Sequence, residues 1–350
     1  MANLTFAQMG VNGQVVSELN EVLFAAVTDP ESLGRIFTIN KGIANGDKVF
    51  LVGDFGLAGA LENSCNPEWD TTNFVSTKTW VLDNIGISYA QCWADIPAPF
   101  LRQLSNLDGA DARRNKFIAD ILAPKLESAL KKMYLRFGWF GDTRDNDVIA
   151  ADLKTATNAK YFKANFSGIW SQALTAVTTY ADHLTSVAAN EEDTRAEQKA
   201  AMFTAGVPTG IIDDLIANAD PALRQSTDGV IYMTLAMADA LEWDIKHNNV
   251  GSDLQWNALK DGVKFAKYNG VTIEVVPAFD EIISLFNEDA ASPYRALYTA
   301  KSNVQFATQG EGEIAELSID YDPATKRVLM SALDHFGVML AQDNIVSLAI

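Results

Sequence analysis

Residues 313–350 read EIAELSIDYDPATKRVLMSALDHFGVMLAQDNIVSLAI. Apolar residues alternate with polar ones over 315–321, 328–333 and 337–340, and Asp322-Pro323-Ala324-Thr325 makes a turn between the first two runs. Three closing strands are therefore expected. The chain then ends on Ile345, Val346, Leu348 and Ile350 without a polar tail, so its last residues are expected to be tied into a sheet, where most termini fray. Such an ending suits a body built as a scaffold for contacts with copies of itself better than an enzyme that works alone.

Upstream of this sheet, VTIEVV at 271–276 is a strand ending at Pro277, followed by a short helix over 279–286 and a strand pair over 294–306. Residues 161–253 are alanine-rich and mostly helical, with helices expected at 168–188, 194–205, 210–217 and 228–247. The longest helix is expected over 111–137, where Phe117, Ile121, Leu126, Leu130, Met133 and Phe137 mark an apolar face. Pro124 either kinks it or starts a fresh helix, and Gly138-Trp139-Phe140-Gly141-Asp142 closes it.

The first hundred residues have a different character. Val15, Val16, Leu19, Val22, Leu23 and Ala26 repeat at helical spacing and Asp29-Pro30 stops them. A helix this short does not hold alone, so its stripe rests on the main body or on a neighbouring subunit. KVFLVGDF at 48–55, introduced by Asn45-Gly46-Asp47, and the alternating run 74–96 form a long two-stranded excursion with an irregular tip around 63–70. A lone ribbon is marginal in water, and Trp69, Trp80 and Trp93 on or beside it call for a surface to pack against.

At 350 residues, 48% hydrophobic and 21% charged, the chain has enough apolar material for a sizeable core and is not disordered. A net charge of -18 leaves no basic footprint for gripping nucleic acid. The two cysteines, Cys65 and Cys92, are read as unpaired thiols of a reducing compartment. MANLTFAQMGVNGQ has neither the basic nor the apolar region of a secretory signal, and no apolar run approaches the about 20 residues of a membrane span.

Catalytic constellations are not evident. His183, His247 and His335 have no partner histidine at metal-binding spacing. There is no phosphate-binding loop and no GxSxG, and Gly53, Gly56 and Gly59 are wrongly spaced for a dinucleotide turn. Glu191-Glu192-Asp193 and Asp213-Asp214 are read as carboxylates favouring helix starts. No catalytic, cofactor or metal residue is assigned.

The order of these elements, with KTW at 78–80 running on to Asp95, LKKMYLRFGWFGD at 130–142, VTIEVVPAFDEII at 271–283 and the closing stretch, resembles the major capsid protein of tailed bacteriophages, the Hong Kong 97-type capsid fold. The resemblance implies an α+β chain with an N-terminal arm at 1–35 and an extended two-stranded loop at 46–96. It implies a peripheral domain from 97–145, carrying the spine helix, with the closing sheet of 312–350, and an axial domain at 146–311. It also implies a structural role, self-assembly through hexameric and pentameric capsomers into an icosahedral head around the packaged genome. DNA would be enclosed without sequence-specific binding, no membrane would be involved, and the site of action would be the virion, assembled in the host cytoplasm. Scaffolding, portal and decoration proteins are the other partners of such a shell. The long charged helical region that serves some members as a fused scaffold is missing, which implies a separate scaffold or a processed form. On this reading Val15, Leu19 and Leu23 of the arm, and Asn63, Pro67, Trp69 and Trp80 of the loop, are the candidate subunit contacts, and removal of residues 1–35 should spare the fold. Two alternatives stay open: an encapsulin-like nanocompartment shell, and a soluble α+β enzyme.

Overall fold

The computed structural model describes residues 20–26, 28, 33–52, 75–92, 123–143, 161–248, 264–285, 292–311, 314–322 and 327–350. In chain order the strands are β1 (Thr38–Lys41), β2 (Lys48–Val52), β3 (Val75–Thr79), β4 (Asp83–Cys92), β5 (Leu184–Thr185), β6 (Gly229–Met233), β7 (Lys264–Tyr268), β8 (Val271–Val275), β9 (Ala296–Ala300), β10 (Val304–Thr308), β11 (Glu316–Asp322), β12 (Arg327–Leu340) and β13 (Val346–Ala349). The helices are α1 (Leu33–Ile36), α2 (Ala123–Phe140), α3 (Ile169–Thr179), α4 (Arg195–Met202), α5 (Val207–Ala217), α6 (Pro221–Gln225), α7 (Leu235–Asn248) and α8 (Pro277–Ile283). Residues 20–26 are helical as well.

The closing stretch is simpler than its sequence suggested. The two strands expected at 328–333 and 337–340 are one strand of 14 residues, β12. Asp334 and His335, which look like a break, continue the alternation: Met330, Ala332, Asp334, Phe336 and Val338 are buried, while Leu329, Ser331, Leu333 and His335 are less so. Asp334 can sit inside because its carboxylate accepts a 2.6 Å hydrogen bond from the Tyr134 hydroxyl and another from the His335 N–H. β12 is antiparallel to β11 along Arg327–Leu333, to β10 along Phe336–Leu340 and to β4 along Arg327–Phe336. β1 joins β10 in parallel, completing a five-stranded sheet.

The place of β4 corrects the expectation of a long free excursion. Its alternating run belongs to the body, and among the described residues β2 and β3 alone form a separate two-stranded ribbon.

α2 covers the buried face of this sheet with Leu126, Leu130, Met133, Tyr134 and Phe137, spaced for one helical stripe. Pro124 is its second residue, where a missing N–H costs nothing; residues 111–122 lie outside the described residues. The helix also runs past the expected stop at Gly138 to Phe140. Gly138 serves close approach instead, because a Cβ there would lie 2.9 Å from Phe37 Cζ and 3.3 Å from Val338 Cγ1.

The second sheet has six strands in the order β5-β13-β9-β6-β8-β7. It corrects two further expectations. The helix expected at 228–247 is strand β6 followed by α7, because GVIYM is a continuous buried run paired on both edges, in parallel with β8 and antiparallel with β9. The strand pair expected at 294–306 is β9 and β10, which lie in different sheets. The β7–β8 hairpin turns on Asn269-Gly270, both with positive φ (47° and 81°), which matches the two-residue turns that suit the twist of paired strands. Carboxylates from neighbouring helices cap the helix starts. Asp280 of α8 accepts from the Leu235 and Ala236 N–H groups at 2.6 and 3.0 Å. Buried Asp244 of α7 accepts from Gly206 N–H at 2.9 Å and from the Thr209 hydroxyl at 2.7 Å, at the start of α5.

One apolar core joins the sheets. Phe306, Phe336 and Val338 of the first and Tyr232, Leu297 and Leu348 of the second meet Trp139, Trp170 and Phe279 in a single cluster.

Two consequences can be measured. A Cβ at Gly337 would sit 2.1 Å from the Val81 carbonyl oxygen, whereas one at Gly210 in α5 meets nothing within 4 Å. Gly337→Ala should lower the unfolding free energy in urea by about 1–3 kcal/mol, and Gly210→Ala should raise it by about 0.5–1 kcal/mol. The second concerns pH. Burial holds the Asp334 carboxyl above the ordinary aspartate range, outweighing the hydrogen bond from Tyr134. A carboxyl raised in the folded state binds its proton more tightly there than when unfolded, so its stabilising share is complete below about pH 3.9 and fades as pH rises through the folded value. The stability difference between the wild type and Asp334→Asn should therefore shift against the wild type with rising pH across that window; a shift in its favour would contradict the assignment.

Candidate subunit-contact surfaces

The ribbon is built from a firm base and an open arm. At the base, Asp47 accepts the Ala44 N–H at 2.7 Å and its own carbonyl accepts the Trp80 N–H at 2.8 Å, closing the turn that launches β2. Gly46, at φ 93°, supplies the left-handed residue this turn needs. Trp80 is 2% exposed and packs with Leu82, Ala307 and Met339, with Val49 and Ile43 against them. Lys78 donates to the Leu340 carbonyl at 2.7 Å and pairs with Asp343 at 2.6 Å. Beyond the base, β2 and β3 pair only with each other among the described residues, from Lys48↔Thr79 to Val52↔Val75. Val49 points to the anchored side, so Phe50, its neighbour in an alternating strand, points away and is 66% exposed.

The arm is docked at its C-terminal part. Asn20 reads the backbone of Ile314 in both directions, donating to its carbonyl and accepting its N–H at 3.0 Å each. Leu23, Phe24, Leu33 and Ile36 are buried in the main core. Arg35 pairs with Glu274 of β8 at 3.2 Å, a carboxyl that burial pushes above its ordinary range despite this partner.

Of the residues singled out from sequence, Leu23 and Trp80 are thus buried within their own chain. The described part of the amphipathic stretch, residues 20–26, rests on its own body through Leu23 and Phe24. Val15, Leu19, Asn63, Pro67 and Trp69 lie outside the described residues. Phe50 is not among the residues singled out from sequence: alternation in KVF puts it opposite Val49, and its exposure follows from the ribbon having one anchored face, which the sequence does not show.

Groups capable of chemistry are dispersed. His183 Nδ1 bonds the Val346 carbonyl at 2.9 Å, His247 Nδ1 bonds the Trp243 carbonyl at 2.7 Å, and His335 Nδ1 meets Asn84 Oδ1. Asp213 lies inside α5, not at its start, and accepts from Tyr268 and Asn269 at the β7–β8 turn. Among the described residues no group of three histidine, cysteine or carboxylate side chains could hold a metal ion. A cleft of about 890 Å³ is lined by Glu21, Ala25, Glu311, Ala315 and His335, with no nucleophile beside them among the described residues. No single helix among the described residues is long and apolar enough to cross a membrane.

No protein-family model and no curated protein sequence matches the chain. Solved structures do. A structure of Mycobacterium phage Ogopogo superposes with a TM-score of 0.52 at 11% identity, covering 91% of this chain and 90% of that one. One of Gordonia phage Cozz gives 0.52 at 11% identity, covering 91% and 85%. A holo encapsulin complex from Synechococcus elongatus gives 0.46 at 12% identity, covering 91% and 86%. The phage structures establish the architecture: the chain has the α+β Hong Kong 97-type capsid fold.

The docked arm leads to a test. Removing residues 1–35 deletes Leu23, Phe24 and Leu33 from the core, and large-to-small losses of about 2–5 kcal/mol each exhaust a typical stability of about 5–15 kcal/mol. That truncation should yield no cooperatively folded protein by circular dichroism and thermal melting. A chain starting at Asn20 keeps these contacts and should melt cooperatively.

Proposed function

We propose that this chain is the major capsid protein of a tailed bacteriophage, assembling through pentameric and hexameric capsomers into an icosahedral head around the packaged genome. The observation that carries the proposal is the β2–β3 ribbon, anchored among the described residues at its base and presenting Phe50 to solvent. A two-stranded ribbon with an exposed aromatic is costly in a monomer and sensible when laid across a neighbouring copy. The capsid fold supports this reading. The net charge of -18 suits a lining that encloses DNA without clamping it.

On this reading the five-stranded sheet with α2 forms the peripheral domain, and the six-stranded sheet with α3 to α8 the axial domain. The boundary near residue 312 then gives way to an interleaved one, since β10 pairs with β12 and β13 with β9. The role is structural rather than enzymatic, in the virion, after assembly in the host cytoplasm. Scaffolding, portal and decoration proteins are the expected partners.

Electron microscopy and size-exclusion chromatography of the purified protein test this. Closed shells, tubes or capsomer rings are expected; a uniform small species at every concentration and salt level would overturn it. The contents of shells formed in the native host discriminate further, DNA marking a phage head and a cargo enzyme a nanocompartment. Phe50→Ser should leave stability within about 0.5 kcal/mol, as befits a surface position. Burying a phenylalanine contributes about 1.5–3 kcal/mol, so the protein concentration needed for assembly should rise about tenfold or more.

A further inference from the structure

The two sheets are joined at a corner where two neighbouring segments cross together. One runs from β9 through a 3₁₀ turn, Lys301–Asn303, into β10; the other runs from β12 through residues 341–345 into β13. They would be one continuous ladder, but strand pairing stops at Thr299↔Val346 on one side and resumes at Val304↔Leu340 on the other, and one main-chain bond, from Ala341 N–H to the Asn303 carbonyl at 3.0 Å, reaches into the corner between them. Side chains fill the gap. Asn303, 2% exposed, donates from Nδ2 to Thr299 Oγ1 and to the Gln342 carbonyl at 2.9 Å each, and its Oδ1 accepts the Gln342 N–H at 2.6 Å. Thr299 Oγ1 donates in turn to the Ile345 carbonyl at 2.8 Å. The ribbon lands on this same corner: Lys78 of β3 holds the Leu340 carbonyl and the Asp343 carboxylate. From the other side Gln172 of α3 accepts the Leu340 N–H at 2.8 Å.

We infer that this corner is a hinge between the two sheets and that Lys78 couples the ribbon's angle to it, so that a neighbour pulling on the ribbon retilts the second sheet. Hinges are a few element-terminal residues able to absorb a change of backbone angle, and here a side-chain relay with a single main-chain bond stands where a full ladder would be stiffer. The strap is releasable. Lys78 and Asp343 have side chains 28% and 46% exposed, and such pairs are weak and screened by salt. The mechanical use of this coupling rests on the shell-forming reading, in which the ribbon is the contact with a neighbour; the coupling itself belongs to the single subunit.

The test is pulsed electron–electron distance measurement on the unassembled full chain, with both native cysteines replaced by serine. Spin labels at Thr77→Cys on the ribbon and Lys267→Cys on the second sheet report the coupling, since both positions are exposed. Labels at Lys199→Cys and Lys267→Cys report integrity around the second sheet. Lys78→Met and Asp343→Asn should each shift and broaden the ribbon-to-sheet distribution, the double variant no more than either alone, with the reference pair unchanged. Salt at about 1 M, where screening acts within about 3 Å, should move the wild type the same way. An unchanged ribbon distribution in both variants overturns the coupling, and so does equal broadening of the reference pair, which would mean general loosening. Responsive distances in a protein that never assembles would sink the shell reading and leave the coupling standing; shells with unresponsive distances would do the reverse.

Discussion

β12 is the strand on which the rest of the structure depends. At about 3.3 Å per residue it is about 45 Å long, and it carries β4 on one edge and β11 then β10 on the other. A strand paired on both edges cannot slip by one residue without turning Met330 and Ala332 outward and Ser331 and Leu333 into the core. Its register therefore sets three others at once. Through β4 it fixes where the ribbon leaves the body, through its buried face it seats α2, and through β10 it sets the corner at which the chain enters the second sheet. Gly337 belongs to the same constraint, since only a residue without a side chain lets the Val81 backbone pass against the strand.

The sheets are held to one another by aromatic packing at the end of α2. Trp139 lies 4.7 Å from Phe279, 5.3 Å from both Trp170 and Tyr232, and 6.0 Å from Phe37, centroid to centroid. These rings come from α2, α8, α3, β6 and the approach to β1, so one side chain touches nearly every part of the body. The packing is good enough to tolerate a cost: Trp139 Nε1, Trp170 Nε1 and the Tyr232 hydroxyl are buried without a hydrogen-bond partner among the described residues. Each such group costs about 1–3 kcal/mol, while aromatic pairs return about 0.5–1.5 kcal/mol beyond their area. Apolar burial and ring contacts, not polar pairing, hold this junction.

Local pattern made some of this legible and left the rest hidden. Strict alternation found β11, most of β12 and β8, and helical spacing found the buried face of α2. β6 was hidden because GVIYM, paired on both edges, has no period to distinguish it from the start of a helix. β12 looked broken because Asp334 is polar, and the hydrogen bond from Tyr134, two hundred residues earlier, helps to make its burial acceptable. β4 was recognisable as a strand but not as a partner of β12, because pairing over 235 to 253 residues leaves no local trace. The candidate contacts divided for the same reason. The stripe of Leu23 and the bulk of Trp80 showed that something covers them, and sequence alone could not say that the cover is their own chain. The exposed position of Phe50 followed only once the ribbon was known to have a single anchored face.

The ribbon shows how one chain serves two demands. A free two-stranded ribbon does not hold its shape, yet one packed along its whole length has nothing to offer a neighbour. Here the Trp80 cluster and Lys78 hold the root, and Phe50 lies just beyond it, where the main chain is set but the side chain is uncovered. The preorganised backbone lowers the ordering cost of a contact, which for loops is a large part of what association must overcome. A single buried phenylalanine, worth about 1.5–3 kcal/mol, is still far too little to hold two subunits together. Small contacts become decisive only when symmetry repeats them on every copy and closes the assembly, so that each subunit is held by several at once. A contact weak in isolation also lets a misplaced subunit leave, which a shell assembled from many copies requires.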